Sequence, residues 1–166
     1  MDDARLRFAA DRAEIEQLQA EYMFALDWQD ADAYAATFTE DGVLDWAQGI
    51  CRGREAIREE AKSMHAHFAR MAAAYEPERR PRLRHFISNV VLFIEGDTAT
   101  GYAYWHEFNN DVRGRWPYLA GYGTYEDELR RVDGRWLFTR RKILNENMAD
   151  RVAPEINPIS AYRARC

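Results

Sequence analysis

Cysteine is scarce in this sequence. The 166 residues hold two, Cys51 and Cys166. Two is too few for a disulfide framework, and their spacing is not that of zinc ligands. That scarcity fits a reducing cytoplasm, the expected location. An excess of positive charge is missing too. The net charge of −5 argues against a strongly cationic face for nucleic acid. No apolar run approaches the ~20 residues that cross a bilayer, so no membrane partner is expected. The opening "MDDARLRFAADRAEIEQ" has acidic residues and no apolar core, unlike a secretory signal. Internal repeats and low-complexity segments are also lacking.

Aromatic residues, by contrast, are abundant at 13%. Either the core is unusually rich in rings, or an apolar cavity is lined with them. The length suits one domain, residues 1–166, with 148–166 as a C-terminal tail of little period.

From Phe8 to Leu26 apolar residues recur at helical spacing (Ile15, Leu18, Tyr22, Ala25, Leu26), which predicts a long amphipathic helix ending near "DWQD". A short helix, "ADAYAATF", follows. "TEDGVLDW" reads as a first strand. "CRGREAIREEAKSMHAHFARMAAAY" reads as a third helix entered through Gly53. The run "EPERRPRLR" cannot continue a helix and reads as a solvated loop. Everything after Arg82 reads as β structure. Two long hairpins turn at "GD" and "DG", the second a strong hairpin signal. Helices first, with one strand pair between, and an antiparallel meander last argue for an α+β fold, with the helices packed on one face of a strongly curved mixed, mostly antiparallel sheet. Such an arrangement encloses a space, here apolar and ring-lined.

The segments "AEIEQLQAEYMFALDWQDADAYAATFTEDGVLDW", "GREAI", "RHFISNVVLFIEGDTAT" and "GYGTYEDELRRVDGRWLFTRRKI" occur in this order. Together they resemble the NTF2-like superfamily in its SnoaL-like branch, which includes scytalone dehydratase, hexachlorocyclohexane dehydrochlorinase and polyketide cyclases. The resemblance covers roughly residues 8 to 145. It implies a cone-shaped barrel whose pocket opens between the first helix and the sheet. It also implies an Asp–His pair, here Asp27 in "ALDWQD" and His85 in "LRHFISN".

That pairing explains a histidine at the head of an otherwise apolar strand. A neutral His85 offers one ring nitrogen as a base while the other donates to Asp27, which fixes the tautomer. Proton abstraction next to a leaving group is an elimination. Returning the proton elsewhere is an isomerisation. Neither needs a metal or organic cofactor, and none is expected. The plainer readings are a packed, hydrogen-bonded histidine and an aspartate that caps the second helix.

The expected substrate is a small hydrophobic or aromatic molecule, with Tyr22, Trp46, Tyr104, Trp105 and Arg141 as candidate binding residues. Trp46 falls where the dehydratase carries a carbonyl-polarising tyrosine, which suggests stacking instead. On the strand 102–109, period two separates Tyr102, Tyr104, His106 and Phe108 from Ala103, Trp105, Glu107 and Asn109. Either face can look inward, which offers His106 or Glu107 as a second acid–base group. Arg141 matches an arginine-bearing strand site of the dehydrochlorinase relatives, and its plainer reading is a surface arginine. His65 and His67, two apart on a helix, do not share a face and read as solvated or lid residues. The family implies a homodimer or homotrimer. The rival functions are a non-catalytic binding domain and a structural small subunit of an aromatic-ring dioxygenase.

Overall fold

The computed structural model describes residues 2–74, 82–110 and 116–165. Helix α1 runs Asp3–Trp28 and starts at Asp2, whose carboxylate accepts the Ala4 amide. It buries Ile15, Leu18, Tyr22 and Ala25, the three-and-four spacing of one helix face. It stops at Gln29, which takes a left-handed φ of 62° and returns its amide to the carbonyls of Ala25 and Leu26. Helix α2, Ala31–Ala36, is capped by Asp30 rather than Asp27. That leaves Asp27 available for something else.

Strands β1 (Phe38–Trp46) and β2 (Gly49–Arg52) form a short antiparallel pair. Helix α3 (Arg54–Ala74) begins only after Gly53, whose φ of 87° suits glycine. Cys51 and Arg52, expected in that helix, belong to β2. Most of the expected "EPERRPRLR" loop lies outside the described residues. Strands β3 (Arg84–Glu95), β4 (Thr98–Asn109), β5 (Tyr118–Val132) and β6 (Arg135–Asn145) complete the meander. The sheet order is β2-β1-β6-β5-β4-β3. Among the described residues only β1 and β6 pair in parallel, so the sheet is mixed.

Irregularities bend this sheet. Register shifts fall between Ser88 and Val91 on β3, where Asn89 has a φ of 55°, and after Glu107 on β4. Bulges of this kind raise local twist and curvature. The helices cover the inner face, with α1 against β3 and β6 and α3 against β1. Between them lies a core of Ile15, Tyr22, Phe38, Ile57, Tyr125 and Phe138.

The tail, expected to lack regular structure, forms a short helix α4 (Pro158–Arg163). Its Tyr162 stacks on Phe93 with ring centroids 4.0 Å apart. Among the described residues, no helix is long and apolar enough to cross a membrane.

Candidate active site

Two elements meet where the chemistry-bearing side chains gather. Asp27 sits in the last turn of α1, and His85 is the second residue of β3. The Asp27 carboxylate accepts the His85 amide at 3.0 Å and the His85 Nδ1 at 2.7 Å. Arg84 reinforces this junction, its guanidinium 4.1 Å from the Trp28 ring centroid. The arginine is therefore half-buried against α1 and not part of a solvated loop.

The other ring nitrogen of His85 is also occupied. Nε2 lies 2.9 Å from Oε2 of Glu107, directly opposite on β4. The side chains of Asp27, His85 and Glu107 are 5%, 10% and 22% exposed. Burial alone would push the imidazole toward neutrality. The hydrogen bonds and charges of Asp27 and Glu107 outweigh it and raise the His85 pKa to about 9. At neutral pH His85 is therefore an imidazolium that donates from both nitrogens. A neutral base was expected. The difference comes from Glu107, one of two alternatives left open by the alternation of β4.

That alternation is now resolved. Ala103, Trp105 and Glu107 face inward, because the bulge falls beyond them. Tyr104 and His106 take the outer face. Tyr104 is 56% exposed and does not reach the cavity, which corrects the expectation for it. Two glycines make the inward arrangement possible. A Cβ on Gly121 would stand 2.9 Å from Glu107 Oε1, and one on Gly123 3.0 Å from Trp105 Nε1. The indole of Trp105 instead donates to the Leu144 carbonyl at 2.9 Å, which fixes its plane.

Around this cluster opens a cavity of about 610 Å³, lined by Tyr22, Tyr34, Leu44, Trp46, Trp105 and Tyr125 among others. Tyr22, Trp46 and Trp105, all anticipated as wall residues, line it. Tyr34 and Tyr125 were not anticipated. Tyr22 and Tyr34 share a hydrogen bond between hydroxyls at 2.7 Å. His65 and His67, read as solvated or lid residues, line the cavity as well. Burial holds the His65 pKa below its ordinary value, with Asp30 opposing.

Arg141 is a second correction. It is wholly buried and binds Asp127 through Nε at 2.8 Å and Nη2 at 2.7 Å. Its guanidinium lies 4.0–4.2 Å from the ring centroids of Tyr22, Tyr125 and Phe138. It stands behind the cavity wall, neither on the surface nor in contact with the cavity. Among the described residues, no group of three or more His, Cys, Asp or Glu side chains is arranged to hold a metal ion.

Helices on a curved mixed six-stranded sheet, with a ring-lined cavity between, define the NTF2-like, cystatin-like α+β fold. The SnoaL-like domain matches residues 7–142, and the chain belongs to that family. A protein of unknown function with a cystatin-like fold from Nostoc punctiforme is 30% identical, over 83% of this chain and 92% of that one, with a TM-score of 0.69. An NTF2-like protein from Novosphingobium aromaticivorans is 28% identical, over 90% and 91%, with a TM-score of 0.70. A structure from Catenulispora acidiphila in complex with S-DNPA is 28% identical, over 84% and 96%, with a TM-score of 0.67. No protein of curated function matches the chain.

Proposed function

We propose that this protein is a lyase of the dehydratase type, or an isomerase, that moves a proton on a small ring-bearing molecule without a cofactor. The observation that carries this reading is the imidazole of His85, gripped by Asp27 and Glu107 at the wall of a ring-lined cavity. The relative that binds S-DNPA supports a small-molecule ligand.

An imidazolium has no free lone pair, so His85 begins as the acid and Glu107 as the base. In an elimination, Glu107 takes the proton from carbon and the bond to the leaving hydroxyl breaks. His85 gives its Nε2 proton to that oxygen, which departs as water. Glu107 then holds one proton and His85 lacks one. Transfer across the 2.9 Å contact restores both. Asp27 holds the ring through Nδ1 throughout. In an isomerisation, the captured proton returns to a different carbon. Positioned acid–base groups of this kind contribute about 10²–10⁴-fold.

A suitable substrate is a β-hydroxy ketone fused to an aromatic ring, such as 3-hydroxy-1-tetralone, whose dehydration gives fluorescent 1-naphthol. The wild type should accelerate that step. His85→Gln and Glu107→Gln should each lower kcat by about 10²–10⁴-fold while binding persists. Variants that turn over at the wild-type rate would reduce the cluster to a structural role. A wild type that binds such ketones without converting them would favour a binding protein.

The reading extends to assembly as a homodimer or homotrimer. Phe86, Tyr104, Phe108 and Tyr122 stand exposed on the outer sheet face. Sedimentation equilibrium should give a multiple of the chain mass, and Phe86→Glu should reduce it to the monomer.

A further inference from the structure

Two nitrogens on the cavity wall are buried without a hydrogen-bond partner. They are Nε1 of Trp46 and Nε2 of His65. The other buried side-chain nitrogens and oxygens left unpaired among the described residues belong to side chains that do not line the cavity. Buried polar atoms are ordinarily paired, because leaving one unpaired is destabilising. The Cys51 thiol lies beside the indole, but burial raises its pKa, and a protonated thiol is a weak acceptor. The indole nitrogen can only donate. The imidazole nitrogen donates or accepts according to its tautomer.

Both groups stand on the helix side of the cavity, away from the acid–base cluster. Trp46 ends β1, and His65 lies on α3. Glu60, Ala61, Met64 and His65 turn one face of that helix to the cavity. The Cys51 thiol is influenced by both Trp46 and Glu60, so the indole lies by the Glu60 turn. His65 follows five residues later, about 7.5 Å further along the axis. Glu107 and His85 belong to β4 and β3. The order β1-β6-β5-β4 sets Trp46 and Glu107 three strand spacings apart, roughly 14 Å along the sheet. Two polar regions therefore face one cavity from different walls.

We propose that His65 Nε2 and Trp46 Nε1 form a subsite for a hydroxyl group of the ligand, distinct from the group transformed at His85. The inference rests on the acid–base reading only for where the reaction occurs, and it adds a second functional group to the substrate class. A hydroxyl accepts from the indole N–H and donates to the imidazole lone pair, which satisfies both nitrogens. A carbonyl has no proton to give His65.

The same surroundings favour a neutral ligand. The carboxylates of Asp27, Glu60 and Glu107 on the cavity wall are balanced by Arg82, Arg84 and the His85 imidazolium. Burial holds His65 toward its neutral form, so its ring offers a lone pair and not a charge. A ligand carboxylate on this side would be brought up to Glu60 beside Trp46 and to Asp30 beside His65, and like charges disfavour it.

The test uses 2-naphthol, its methyl ether 2-methoxynaphthalene, and naphthalene. Binding is measured by calorimetry to the wild type, Trp46→Phe, His65→Leu and His85→Gln. The wild type should bind 2-naphthol about tenfold more tightly than the ether, which has no proton to donate, and at least as much more tightly than naphthalene. Trp46→Phe and His65→Leu should each reduce the preference over naphthalene to about threefold or less. His85→Gln should keep it. By NMR, the wild-type Trp46 indole N–H proton, assigned by its absence from Trp46→Phe, should move further downfield with 2-naphthol than with naphthalene.

Equal binding of 2-naphthol and either other probe by the wild type overturns the proposal without any variant having to fold. So does an indole proton that responds alike to 2-naphthol and naphthalene. A preference that survives Trp46→Phe or His65→Leu overturns the shared subsite. A preference lost in His85→Gln overturns it too, because the acid–base cluster would then be reading the hydroxyl. None of these readouts needs turnover. A failed dehydration assay with the preference intact would remove the lyase reading and leave the subsite standing, and an active lyase that ignores the hydroxyl would do the reverse.

Discussion

The charge on His85 can be tested without a substrate. In the unfolded chain the ring titrates at its ordinary 6.5, and in the folded protein at about 9. Each pH unit of that separation is worth 1.36 kcal/mol, so the ion cluster contributes about 3 kcal/mol at most. The folded value lies above the unfolded one. The contribution is therefore complete below pH 6.5, mostly present at pH 7, and lost as pH rises through 9. The side chain is 10% exposed, so solvent screening takes little from it. Urea denaturation of the wild type should show a loss of about 2–3 kcal/mol between pH 7 and pH 10. His85→Gln should show no such loss over that window. The buried tyrosines, whose pKa values are raised, begin to destabilise only above pH 10 and do so in both proteins. In parallel, the His85 ring can be followed by NMR, its signal assigned by its absence from His85→Gln. Glu107→Gln removes one of two adjacent charges and should lower the His85 titration by roughly 1–3 pH units. If the wild-type ring titrates at or below 6.5, the two-carboxylate argument is wrong, and so is the assignment of His85 as the acid.

Three further outcomes follow from the packing. Asp27→Asn keeps an oxygen for the His85 amide but removes the charge. It should cost about 1–2 kcal/mol at pH 7 and little at pH 10, as read by denaturation at the two pH values. Gly123→Ala drives a Cβ into the Leu144 carbonyl oxygen, a backbone atom that cannot step aside, and should cost about 3 kcal/mol; Gly121→Ala meets a side-chain oxygen of Glu107 at 2.9 Å, which can give way only by loosening its hold on His85, and should cost less, about 1 kcal/mol. Arg141→Leu leaves Asp127 charged and unpaired in the core and should cost about 3–5 kcal/mol, most of it recovered in the double variant Arg141→Leu, Asp127→Leu. Full destabilisation in the double variant would count against that account.

Most of the fold was legible because its signals are local. The three-and-four spacing of Ile15, Leu18, Tyr22 and Ala25 specifies which face of α1 is buried, and that face is the one the sheet covers. The turns at Gly96 and Gly134 carry positive φ values of 61° and 79°, as hairpin glycines should. What escaped was nonlocal. A strand pair between the helices was expected, but the bounds of its second member, β2, were not: it is four residues long and gains its identity from pairing with β1, Val43 to Arg52 through Trp46 to Gly49, so Cys51 read as helix in isolation. The α4 helix is held in place by Tyr162 stacking on Phe93, sixty-nine positions earlier, and a six-residue helix has too few turns to show a period of its own.

The site divides along the same line. Asp27 and His85 were legible through resemblance, as residue types at matching places. Glu107 was legible only as one of two options, because period two assigns a strand's faces without saying which is inside. The information that settles it sits on a neighbouring strand. Gly121 and Gly123, spaced by two on β5, stand across from Glu107 and Trp105 and leave room there for a carboxylate and an indole. In "GYGTY" the first glycine, the second glycine and Tyr125 therefore share one face, and that face must look at the cavity. Two glycines alternating with larger residues on a strand signal bulk arriving from next door, and here the bulk is Glu107 and Trp105. Arg141 shows the opposite case. Its charge argued for the surface, yet Asp127 stands directly across from it on β5. A carboxylate and a guanidinium paired across two strands neutralise each other where neither alone could be buried. In both cases the environment of a side chain was set by its cross-strand neighbour, and that neighbour becomes readable only once the register is known.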